Sequence, residues 1–251
     1  MNSAARLFKS SLGKKYLMAA SGALLVLFVI AHLVGNLQVF LGPEAINRYG
    51  HFLQSNVEIL WPARIGLLVL VGLHIWSAAK LSLENKAARP VGYAGNPAPP
   101  AASFASRTML MSGLIIAAFV IYHLLHYTVQ VRAINLTGRD FLTLRDAEGR
   151  HDIFAMMVYG FQQPVVSGFY ILAIALLCLH LHHGIYAMFQ SLGVKVGFYP
   201  DLPKVLARWG AILIFVGYVS IPIAVLAGYG SDYVNKIPKQ SAAAGKEVAK
   251  Q

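Results

Sequence analysis

Residues 163–191 read QPVVSGFYILAIALLCLHLHHGIYAMFQS, and none of them is Lys, Arg, Asp or Glu. A helix rises about 1.5 Å per residue, so this stretch would extend over about 43 Å. The hydrocarbon core of a bilayer is roughly 30 Å thick. The stretch therefore reads as a membrane-spanning helix, long enough to tilt or to project beyond the lipid. It also carries three imidazoles, His180, His182 and His183, at a depth where a titratable side chain is costly and usually functional.

Four more apolar runs lie on either side, at Tyr16–Leu41, Pro62–Leu83, Arg107–Val131 and Val205–Tyr229. The whole chain of 251 residues is 57% hydrophobic and 12% charged, with a mean hydropathy of +0.59. Soluble domains carry about 25% charged residues, so an ordinary soluble enzyme, a disordered chain and a coiled coil are excluded. Lys14 and Lys15 precede the first run, as basic residues precede the apolar run of a signal peptide. The run is longer than the 7–15 apolar residues of a signal sequence and reads as a retained span. The expected fold class is all-α, a polytopic membrane protein of five transmembrane helices, four of them forming a ligand-binding bundle. Residues 1–230 make this one domain, and the Lys/Ala-rich residues 231–251 form a mobile tail.

The segments between spans differ in character. Residues 84–106 hold four prolines and read as an irregular linker. Residues 42–61 open with Gly42-Pro43-Glu44, a helix start, and space Ile46, Tyr49, Phe52 and Leu53 as the apolar face of a short surface helix. Residues 132–161 read as the longest loop, with four basic and four acidic side chains. Cys178 is the single cysteine, so a disulfide, a Cys-ligated zinc, an iron–sulfur cluster and covalently attached haem are excluded within this chain.

The net charge of +11 would suggest nucleic acid in a soluble protein. Here there is too little polar surface for that, and the charge reads as membrane-edge lysine and arginine facing lipid headgroups. With the N-terminus in the cytoplasm, the inner segments carry eleven basic residues opposed by Glu84 and Asp201 alone, while the outer segments are nearly neutral. This sets the N-terminus inside and the C-terminus outside.

Seven of the nine histidines fall within spans: His32, His74, His123, His126, His180, His182 and His183. Neutral imidazole is a good iron ligand, and two imidazoles on facing helices can hold a haem between them. Depth sorts them. His32 and His123 each lie about 24 Å from the inner ends of their spans. His74 lies about 9 Å from Lys80, and His180 about 16 Å from Ser191, both toward the inner side. An outer pair, His32 with His123, and an inner pair, His74 with His180, would stack two haems into a wire across the membrane. His126 shares a helix face with His123, and His183 with His180. By depth alone His183 suits His74 slightly better than His180 does. Glycines 22, 35, 66, 72, 113, 168 and 184 flank these histidines, where small residues let a helix or a flat macrocycle approach the backbone.

Taken in order, SSLGKKYLMAASG at 10–22, AHLVGNLQ at 31–38, GLHIW at 72–76, YHLLH at 122–126 and HLHHGIYAMFQSLG at 180–193 resemble one family. It is the di-haem cytochrome b membrane anchor of succinate:quinone oxidoreductases and fumarate reductases, in its single-subunit, five-helix form. The resemblance covers about residues 8–230. It implies two b-type haems, the outer held by His32 and His123 and the inner by His74 and His180, in preference to His126 and His183. It implies a flavoprotein and an iron–sulfur protein docked on the cytoplasmic face of a bacterial inner membrane. This chain would be the electron-carrying anchor of the succinate dehydrogenase or fumarate reductase, and not its succinate-oxidising head. Related anchors are associated with menaquinone near the outer haem, and outer-side candidates for a quinone site are His51, Gln54 and Glu58. On the inner side Lys14, Lys15, Lys80 and Arg107 are candidates for holding propionates or docking the iron–sulfur partner. Other readings are a di-haem anchor of a hydrogenase or formate dehydrogenase, and a His-lined metal transporter. A transporter would want carboxylates along its path, and no Asp lies inside a span.

Overall fold

The computed structural model describes residues 8–88, 108–194, 197 and 199–237. Among these residues the fold is all-α, with a single isolated antiparallel bridge between Arg145 and His151. Five helices are long and apolar enough to cross a membrane. They are α1 (Ser11–Leu37, prolonged by a 3-10 turn to Leu41), α3 (Val57–Ala87), α4 (Met109–His123, prolonged by a π-turn to Thr128), α6 (Pro164–Ser191) and α7 (Leu202–Leu226). Three shorter helices join them: α2 (Pro43–Ser55), α5 (Ile153–Phe161) and the single turn α8 (Ser231–Val234). The long helices expose large apolar side chains such as Leu27, Leu68, Leu114, Leu172 and Leu213. In water such a surface would drive association, whereas in lipid it is the ordinary outer face of a span. The protein is a polytopic membrane protein.

The chain divides into two compact units. The first is Met1–Val34, Asn56–Ile116 and Ala175–Val216, and the second is Gly35–Ser55, Ala117–Ile174 and Gly217–Gln251. Within the first unit Lys14, 4% exposed, pairs with Glu84 at 2.5 Å and bonds the Lys9 carbonyl. A buried ammonium needs such a partner. Lys14 is thus committed inside the chain, which removes it from the candidates for holding a propionate or docking a partner.

The second unit is organised by α5. Residues 132–161 are not a loop throughout: Ile153–Phe161 is helical, and every residue from Phe154 to Phe161 is buried. The run is apolar all round but only nine residues long, too short to span and able to form only as a buried helix. Asp152 caps it by accepting from the Ala155 amide at 2.9 Å. Asn47 of α2 ties it down, donating to Asp152 (3.1 Å) and Asp146 (3.2 Å) and accepting from the Phe154 amide (3.0 Å). Gly50 makes room for the Ile153 side chain. The buried face of α2 is therefore Ile46, Asn47 and Gly50, and Phe52, expected on the apolar face, is exposed.

Two boundaries move. The short helix expected over 42–61 ends at Ser55, and Glu58 stands in the first turn of α3, with Pro62 inside that helix near its start. At the other end, Tyr233 donates to Asp152 at 2.9 Å, Tyr159 donates to the Val234 carbonyl at 2.9 Å, and Val234 is 2% exposed. Packed structure thus continues past residue 230 to Ile237. Of the linker expected over 84–106, residues 84–87 are the last turn of α3; residues 89–106, with Arg107 and the tail beyond 237, lie outside the described residues.

Candidate functional site

His74 of α3 and His180 of α6 come together in the first unit, their ring centroids 6.3 Å apart with planes at 66°. Each ring is held by a neighbouring helix in the same manner. His74 Nδ1 lies 3.4 Å from Ser21 Oγ and 3.2 Å from the Met18 carbonyl on α1. His180 Nδ1 lies 3.4 Å from Ser112 Oγ on α4. Both serines are buried, and both give their own proton to a backbone carbonyl one turn back: Ser21 to Leu17 at 2.7 Å, Ser112 to Met109 at 3.1 Å. A hydroxyl that has donated its proton can only accept from the imidazole. Nδ1 therefore carries the hydrogen on both rings, and Nε2 presents a bare lone pair. This is the arrangement of a metal-ligating histidine, whose second nitrogen is fixed by a hydrogen bond.

The glycine after each serine completes the seat. A Cβ on Gly22 would stand 3.2 Å from His74 Cε1, and one on Gly113 would stand 3.7 Å from His180 Cε1. Gly35 accommodates Tyr49 instead, and Gly66, Gly72, Gly168 and Gly184 meet nothing within 4 Å. Ser77, one helical turn from His74, is fully buried with an unpartnered hydroxyl. The centroid spacing fits a shared iron. His74 and His180 would hold such an iron through their Nε2 nitrogens. His182 is exposed, and His183 is only half-buried one turn beyond His180.

The outer candidates divide between the units. His32 belongs to the first, where it stacks on Phe28 at 5.3 Å and 18°. His123 belongs to the second, at the end of α4, where the helix widens into a π-turn over Leu124–Thr128. π-turns often mark functional positions. His123 Nδ1 lies 3.3 Å from the Tyr170 hydroxyl, and His126 Nδ1 lies 3.1 Å from the same oxygen. His126 is fully buried, stacked on Tyr127 at 4.0 Å, and its Nε2 has no partner. Packed this way it leaves no face for a macrocycle, whereas His123 is half-buried.

No family model, curated protein or solved structure matches this chain. Its chemistry is read from the residues alone. Among the described residues no three His, Cys, Asp or Glu side chains converge as a metal-ion site.

Of the residues predicted for a quinone site, Gln54 alone lines a cavity, of about 210 Å³, together with Gln130, Leu142, Arg145 and His151. His51 is exposed and bonds Ser55 at 3.4 Å, and Glu58 is exposed at the start of α3. Gln130 and His151 had no role in the sequence reading. Gln130 adopts a left-handed backbone (φ 61°), is 9% exposed, lies 3.1 Å from His151 Nε2 and leaves its carbonyl oxygen unpartnered. A non-glycine residue held in that conformation, with an idle buried acceptor, marks a site rather than a plain turn. Burial lowers the His151 pKa, Arg145 lowers it further, and Leu144 and Asp152 oppose. The Arg150 guanidinium holds Glu44 below the usual carboxylate range. Burial would raise Asp146, but its hydrogen bonds, with Arg150 first among them, outweigh that and hold it low.

Proposed function

We propose that this chain is the di-haem cytochrome b anchor of a succinate:quinone oxidoreductase, passing electrons between an iron–sulfur partner on the cytoplasmic face and a quinone. The observation that carries the reading is the inner histidine pair. His74 and His180 stand with ring centroids 6.3 Å apart, each with Nδ1–H given to a serine that can only accept, and each with Nε2 left for iron. The order of motifs along the chain supplies the rest, including the pairing of His32 with His123 for the outer haem.

When bound, a b-type haem accepts and releases one electron at a time. The protein's part is to hold its ligands in one tautomer and to exclude water. Ser21 and Ser112 do the first by accepting from the ligand imidazoles. Gly22 and Gly113 let α1 and α4 close on the rings, and the apolar spans do the second. On the outer side, Gln54, Gln130, Arg145 and His151 offer both donors and an unsatisfied acceptor to the oxygens of a quinone, of menaquinone type by the family resemblance. The proton that a reduced quinone oxygen takes up needs a titratable group at that place, and His151 is the one that lines it.

The reading predicts that His74→Ala and His180→Ala each lower haem from two per chain to one, while His182→Ala leaves two. Retention of both haems in His180→Ala would move the inner ligand to His183. Absence of haem from all variants and from the wild type would overturn the proposal.

A further inference from the structure

Tyr170 of α6 contacts two histidines with one oxygen, 3.3 Å from His123 Nδ1 and 3.1 Å from His126 Nδ1. The phenol is 6% exposed and packed edge-on against Phe119 at 5.0 Å and Phe161 at 5.2 Å, so its ring is fixed. A phenol has one proton: it donates to one imidazole and accepts from the other. The two polarities have different consequences. If Tyr170 donates to His123, the hydrogen of neutral His123 must sit on Nε2, and His123 cannot bind iron through that nitrogen. If Tyr170 donates to His126, it accepts from His123 Nδ1–H. His123 Nε2 then carries a lone pair and no hydrogen, and the orphan nitrogen of His126 is an N–H.

We propose that the second polarity holds and that Tyr170 is the positioning residue of the outer haem ligand. The chain runs His123 Nδ1–H to Tyr170 Oη–H to His126 Nδ1. It does for the outer ligand what Ser21 and Ser112 do for the inner pair. There the serine proton goes to a backbone carbonyl, and here the tyrosine proton goes to His126. His126 is thereby the terminus of the chain and not a ligand. This inference rests on the di-haem reading.

The test is a potentiometric titration of the purified full-length chain, with haem counted, for wild type, Tyr170→Phe, His126→Gln, Ser112→Ala and His123→Ala. Accepting the Nδ1–H bond makes the ligand more basic and favours ferric iron. Tyr170→Phe is expected to keep both haems and to raise one midpoint potential, that of the haem lost in His123→Ala. Ser112→Ala is expected to move the other haem. His126→Gln is expected to keep both haems. Unmoved potentials in Tyr170→Phe with both haems bound, a shift confined to the haem that survives in His123→Ala, or loss of a haem in His126→Gln would overturn the assignment of Tyr170 and leave the di-haem reading intact. A wild type without haem would overturn both.

Discussion

Ser21-Gly22 on α1 and Ser112-Gly113 on α4 show how much a single residue decides at this site. The glycines stood out in the sequence because they flank histidines, but four of the seven open onto no contact, and spacing could not separate these from Gly22 and Gly113. The serines did not stand out at all, since serine is common in membrane helices and one Ser–Gly step carries no signal. At Gly22 the ring is close enough for a branched side chain to collide with it. Gly22→Leu should displace His74 and cost one haem per chain in a pyridine haemochrome assay, whereas Gly113→Ala, at ordinary contact distance, should keep both. Equal haem in Gly22→Leu and wild type would remove the seat from the account. His151 gives a second test at this scale. Its Nε2 accepts from Gln130 only while the ring is neutral, and burial lowers its pKa in the folded state. The unfolded chain takes up that proton first, near pH 6.5. The contribution to stability is therefore fully present above pH 6.5 and is lost as pH falls through the folded value. Melting temperatures between pH 8 and 5 should fall for the wild type and fall less for His151→Gln. Parallel curves would exclude this group as the cause.

At the scale of elements, α5 is where the sequence was hardest to read. IFAMMVYGF has no helical periodicity because every side is buried, and it is too short to be taken for a span. The signal available was Asp152 as an N-cap before an apolar run, weakened by the surrounding charges. The face of α2 was misjudged for a related reason. Asn47, polar yet fully buried, turns that helix because its partners Asp146, Asp152 and Phe154 lie about a hundred residues away. Asp152→Ala removes the cap and two side-chain bonds and should cost about 2–3 kcal/mol. That loss should be seen as a lower melting temperature with the His74–His180 pair still loaded. Gly160 tests the packing of α5 against the π-turn of α4. A Cβ there would overlap the Tyr127 hydroxyl and press on His126. Gly160→Ala should destabilise by roughly 1–3 kcal/mol, and an unchanged melting curve would mean that the aromatic nest is loose.

For the whole molecule, the five spans were legible because lipid demands long uncharged helices and little else in a sequence produces them. Their ends were less so, since Val57–Trp61 and Ser11–Lys15 are helical beyond the apolar runs and hydropathy does not see a helix leaving the bilayer. The expected direction of insertion rests on charge alone and can be measured. Cys178 is the only cysteine and is buried, so in a Cys178→Ala background single cysteines report their side of the membrane. A membrane-impermeant maleimide added to intact cells should label Glu148→Cys and should reach Asp201→Cys only after permeabilisation; the reverse pattern would invert the topology. That His74 and His180 would lie together was expected from the order of motifs, depth alone having favoured His183, whereas the serines beside the two rings required the fold. The central claim is that this bundle holds haem between helices through paired histidines. It is tested most directly by the oxidised and dithionite-reduced visible spectra of the purified wild-type chain, with haem quantified against protein. The account predicts two b-type haems per chain, both six-coordinate and low-spin. A chain that purifies folded without haem, or with a five-coordinate high-spin haem, would contradict it.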